Sequence, residues 1–117
     1  YCVRVHPVGA GLEIAKLLIR RLAELQRTRG IKVVVMAQHP PVIWLNQSEA
    51  RRLRRATQCV LDCAAASGLA TIDTYSRLAV EPAPHRHYAH THMNARGNSM
   101  IASLVAATLP ALLGETP

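Results

Sequence analysis

Four of the six histidines, His85, His87, His90 and His92, fall within one stretch of eight residues that holds no carboxylate. Three readings suit this pattern. The His-x-His and His-x-x-His spacings let an extended loop bring His85, His87 and His90 onto one ion, and a set without carboxylates favours Zn²⁺, Cu²⁺ or Ni²⁺ over Mg²⁺. A single histidine at the mouth of a helix, beyond the end of a strand, is instead where an α/β hydrolytic enzyme places the base that activates its nucleophile. The third reading is a polar, solvated loop without chemistry.

Other reactive side chains are more scattered. Cys59 and Cys63 lie four apart on one helix face, a spacing that suits a metal but reads first as small core hydrophobes. Asp73 ends an apolar run and reads first as the cap of the turn that follows, with a ligand or orienting role as the alternative. Ser76 has no Gly-x-Ser-x-Gly elbow around it. Trp44 is the sole tryptophan in a chain with three Tyr and no Phe, and it reads as a loop anchor on the core, with cleft lining as the alternative.

The elements that must position these groups follow from periodicity. Leu12, Ala15, Leu18, Leu22 and Leu25 recur at three and four with charges opposite, which predicts an amphipathic helix from Leu12 to Arg29, stopped by Gly30. Ile31 to Ala37 is a β-branched apolar run broken by Pro40-Pro41, and it predicts a strand buried on both faces, hence parallel. Ser48 is the expected cap of a second helix running to Gly68, and Leu69 to Thr74 the second strand. Residues 75–97 show no helix or strand period. An Asn94-to-Asn98 cap region then opens a third helix, closed near Pro110 to Gly114.

This order predicts an α/β layer architecture. Two parallel strands cannot cover the apolar faces of three helices, so further strands are expected outside this sequence or in a partner chain. Ligands of an open parallel sheet sit beyond the carboxyl ends of its strands, which makes Gln38 and His39 after the first strand, and His90, His92 and Asn94 in the long loop, the expected cleft residues.

Composition bounds the function. Half of the 117 residues are hydrophobic and no apolar run is long enough to span a bilayer, so one folded domain over 1–117 without a transmembrane segment is expected, and disorder is excluded. The chain opens at Tyr1-Cys2-Val3-Arg4 with no signal-type segment, and reads as processed or as part of something longer. Three cysteines do not form a disulfide framework. The net charge of +7 is uneven, with eleven basic and three acidic residues in 1–58 against three and four in 59–117. Arg51, Arg52, Arg54 and Arg55 oppose the dipole of the second helix; the cluster admits a phosphate-binding reading, and by default reads as a solvated face or one turned to an anionic polysaccharide or lipid. With so few aromatics for bases to stack on, no nucleic-acid partner is expected.

The segment His92-Met93-Asn94-Ala95-Arg96-Gly97-Asn98 before an apolar helix resembles the last block of the SGNH (GDSL-like) hydrolases, and the preceding elements are similar over most of the chain. The resemblance implies a three-layer flavodoxin-like parallel sheet of which this chain supplies about two strands and three helices. It implies a cofactor-free, serine-type hydrolase of an acyl ester on a carbohydrate or lipid, with His92 as general base, and a cell-envelope or secreted location. The family's block carries an Asp three residues before its histidine, where this chain has Ala89, and losing such a carboxylate costs on the order of 10⁴ in turnover. No Gly-Asp-Ser or Gly-x-Asn-Asp segment occurs. The nucleophile and oxyanion donors are therefore expected in the N-terminal half of the domain, outside this segment. Alone, it is expected to be inactive. A degenerate, non-catalytic binding or structural module is the alternative.

Overall fold

A computed structural model describes residues 8–114. The Tyr1-Cys2-Val3-Arg4 opening, with the first of the three cysteines, lies outside them. The chain folds as α1 (Val8–Arg29), β1 (Val34–Ala37), a 3₁₀ turn (Pro41–Trp44), α2 (Gln47–Ala66), β2 (Ala70–Asp73), α3 (Tyr75–Ala79), a second 3₁₀ turn (Pro84–His87), β3 (Tyr88–Ala89), β4 (His92–Met93) and α4 (Ala95–Leu112). It is a mixed α/β molecule with a parallel pair, as the alternation of helices and apolar runs predicts.

β1 and β2 pair in parallel with Val34 opposite Ala70 and Ala37 opposite Asp73. One face of the pair packs on α1 and α2, where Ile19, Ala64 and Leu69 form a buried cluster with Val33, Val35, Val60 and Cys63 against it. Cys63 thus serves as a core hydrophobe. Each large apolar side chain buried here contributes roughly 1.5–3 kcal/mol. Gln26 of α1 ties the start of both strands: its Oε1 accepts from Val33 N at 2.9 Å and its Nε2 donates to Gly68 O at 3.1 Å.

Several boundaries differ from expectation. The first strand is shorter than Ile31–Ala37, because the Val33 N–H is committed to Gln26, and it is not buried on both faces: Met36 is 42% exposed. The cap of α2 is Asn46 rather than Ser48. Its Oδ1 accepts from Ser48 N and Glu49 N, both at 3.1 Å, satisfying two of the amides that a helix start leaves free. Residues 75–97 are not featureless, but hold α3, a 3₁₀ turn and the antiparallel hairpin β3–β4. These pieces are two to five residues long, too short for a period to register. Pro110 lies within α4, which continues to Leu112.

Candidate functional site: the cleft at the carboxyl end of the parallel pair

The register that sets Ala37 opposite Asp73 determines what meets just past the strands. Thr74 N donates to Ala37 O at 3.2 Å and extends the ladder by one bond. Two residues beyond Ala37, the almost wholly buried His39 places Nε2 at 3.3 Å from Asp73 Oδ1. A carboxylate only accepts, so Nε2 of the imidazole is the donor in this bond. Asp73 Oδ1 also accepts from Tyr75 N at 3.0 Å, closing the turn into α3. Asp73 is therefore both the expected turn cap and the carboxylate partner of His39. His39 and Asp73 each stand out in the sequence, but their pairing does not. Its signal lay in their common position, just past the ends of two apolar runs that pair in register.

An aromatic layer backs this pair. Trp44 stacks on Tyr75 at 4.9 Å between centroids, and Tyr75 meets the His39 ring edge-on at 5.8 Å. The Tyr88 hydroxyl donates to His39 O at 2.9 Å and accepts from Trp44 Nε1 at 3.3 Å. Burial pushes the Tyr88 phenol above its ordinary value of 10.0, with the indole N–H working the other way. Trp44 thus holds the loop after β1 against the β-hairpin, which agrees with its reading as an anchor.

The hairpin delivers the candidate base. His92, on β4, lines a cleft of about 290 Å³ with Gln38, His39 and Pro40 on one side and Thr91 and Met93 on its own. Among the described residues no side chain hydrogen-bonds its imidazole, and across the hairpin it faces Ala89. Of the five expected cleft residues, His92, Gln38 and His39 come together.

Asn94 and His90 stand elsewhere. Asn94 caps α4, with Oδ1 accepting from Gly97 N at 3.0 Å and Nδ2 donating to Arg86 O at 2.8 Å. His90 turns the hairpin in the left-handed region at φ 57° and is exposed. A Cβ on Gly97 would collide with the His87 carbonyl oxygen, so the glycine of this block is needed for α4 to start where Asn94 places it. The Asn-x-x-Gly spacing thus has a local mechanical cause.

The three-imidazole alternative is not assembled. His85 is exposed, His90 points away on its turn, and His87 is buried with Nε2 at 3.4 Å from Glu81 Oε2 and Nδ1 without a partner. Among the described residues no three His, Cys, Asp or Glu side chains converge as a metal ion requires. Nor is any described helix long and apolar enough to cross a membrane. No protein-family model matches the chain, and comparison with curated proteins and with solved structures gives no match.

Proposed function

We propose that this chain supplies the general base and the strand-end cleft of a serine-type ester hydrolase of SGNH-like, three-layer flavodoxin type, acting on an acyl ester of a carbohydrate or lipid. The observation that carries this reading is the position of His92, in one cleft with Gln38 and His39 directly beyond the carboxyl end of β1. In the reaction, His92 takes the proton of a seryl hydroxyl as its oxygen attacks the acyl carbon. It then gives that proton to the departing alcohol oxygen as the ester C–O bond breaks. Water, deprotonated by the same imidazole, then attacks the acyl-serine, and the imidazolium returns that proton to the serine oxygen as its bond to the acyl carbon breaks and the acid leaves. The lining of the cleft holds no serine. In this reading the serine and the oxyanion donors come from a further part of the domain.

A second reading, a non-catalytic binding module, is favoured by the bare methyl of Ala89 opposite His92. Hydrolysis of p-nitrophenyl acetate by the protein that joins this segment to the serine-bearing part of the domain separates the two. Loss of His92 in H92A is expected to lower turnover by roughly 10²–10⁴, the range a positioned base contributes. Equal rates for the two proteins would end the hydrolase reading.

A further inference from the structure

The four arginines of α2 are not equivalent. Arg52 donates to Glu49 at 2.8 Å, whereas among the described residues Arg51, Arg54 and Arg55 have no carboxylate within ion-pair distance. They lie in the second and third turns of the helix and are exposed. They also surround space. One hollow of about 520 Å³ has Leu12, Ala56 and Cys59 as its apolar floor and Arg51, Arg52 and Arg55 as its rim. A second, of about 420 Å³, is lined by Gln47, Ala50, Tyr75 and Arg51, Arg54 and Arg55. Arg51 and Arg55 line both, so the hollows meet along them.

Arg54 is held in place by stacking. Its guanidinium carbon lies 3.8 Å from the centroid of the Tyr75 ring. A stacked guanidinium gives up side-chain freedom in advance and keeps its N–H edges free for an oxyanion. Three guanidinium forks without a carboxylate partner, Arg54 stacked and Arg51 and Arg55 lining the same hollow, match the oxygens of a tetrahedral phosphate dianion better than the two oxygens and single charge of a carboxylate. The apolar floor beside them suits an organic body. Nothing here suits a polynucleotide, because Tyr75 is already covered by Trp44 and Arg54 and offers no free stacking platform.

We propose that these two hollows form one binding site for a phosphate ester, with the phosphate on Arg51, Arg54 and Arg55 and the organic group over Leu12, Ala56 and Cys59. The site stands on the arginine geometry and does not depend on the hydrolase reading. It adjoins the cleft through Tyr75, which touches His39, and Trp44, the sole tryptophan, reports on it by fluorescence.

Calorimetric titration of the full chain with phenyl phosphate, followed in parallel by Trp44 emission, tests the site. Saturable binding at one equivalent is expected, weakened at least tenfold in R51Q/R55Q and within twofold of wild type in R27Q/R29Q, which removes the same charge from the far end of α1. R54K keeps the charge and loses the fork, and is expected to weaken binding as well. All of these side chains are exposed, so unchanged far-UV circular dichroism accompanies each variant. Displacement of phenyl phosphate by phosphatidic acid vesicles, but not by phosphatidylcholine vesicles, assigns the phosphate to a lipid headgroup. Displacement by neither assigns it to a soluble ester. Absence of saturable binding, or equal losses in R51Q/R55Q and R27Q/R29Q, overturns the proposal.

Discussion

Ala89 and His92 are directly opposed on the hairpin, so their side chains leave the same face with Cβ atoms about 5 Å apart. A carboxylate at position 89 would reach the imidazole of His92, fix its tautomer and stabilise the imidazolium formed during proton transfer. The methyl group present does neither. If His92 is the base, A89D is expected to raise kcat for p-nitrophenyl acetate at least tenfold in the protein that joins this segment to the serine-bearing part of the domain. A89N restores a polar partner without the charge and is expected to give less than a tenth of that gain. Parallel kcat measurements on both variants check this, and a null effect of A89D would show that His92 does not work as a base. The carboxylate–imidazole pair beside the cleft, Asp73–His39, is complete already, but the His39 side chain is only 2% exposed. Its geometry closes the ends of β1 and β2 on each other and shapes the wall that His92 faces.

At the scale of elements, α3 and the second 3₁₀ turn are joined through Glu81. Arg77 donates to Glu81 Oε1 at 2.8 Å, and His87 approaches Oε2 of the same carboxylate. The Arg77 guanidinium holds the Glu81 carboxyl below its ordinary value of 4.5, with His87 acting in the same direction and partial desolvation against it. A carboxylate whose folded value lies below its unfolded one stabilises the fold above the unfolded value, and loses that contribution as pH falls through the folded value. E81Q is therefore expected to melt below wild type at pH 7, with the gap closing as the pH drops under about 4.5. Melting temperatures taken from pH 7 to pH 3 check it; a gap that stays constant would show that Glu81 acts by packing alone. This linkage also shows where the sequence stopped being legible. Long periodic pieces such as α1, α2 and α4 were readable because many residues repeat the same signal. Glu81 and His87 meet through a 3₁₀ turn, and Tyr88 reaches His39 across 49 residues, contacts that leave no period behind. The cap of α2 illustrates the same limit on a smaller scale. Asn46 and Ser48 are both good capping residues two positions apart, and the choice fell to Asn46 because the 3₁₀ turn Pro41–Trp44 delivers that residue in an extended conformation, φ −135° and ψ 111°.

The molecule as a whole leaves apolar surface uncovered. On α1, Ile14, Leu17 and Leu18 are each about 60% exposed, and on β1 Met36 is 42% exposed, although the same helix buries Ile19 to 5%. The distinction is one of angle: Ile19 points at α2 and the sheet, while Ile14 and Leu18 lie one turn apart on a flank that no described element covers. The parallel sheet has two strands among the described residues, so β1 has a strand neighbour on one edge only. The Cα radius of gyration is 15.5 Å, whereas a closed domain of about this length is expected near 13 Å. Aromatic dyes that light up on exposed apolar surface should therefore bind the 117-residue chain in its folded state. With anilinonaphthalene sulfonate, an emission gain is expected under conditions where far-UV circular dichroism is native. I14K/L18K replaces two exposed side chains without touching the Ile19 cluster, and should at least halve the gain while leaving the circular dichroism unchanged. An undiminished gain in that variant would move the uncovered surface away from α1, toward the open face of β1 around Met36.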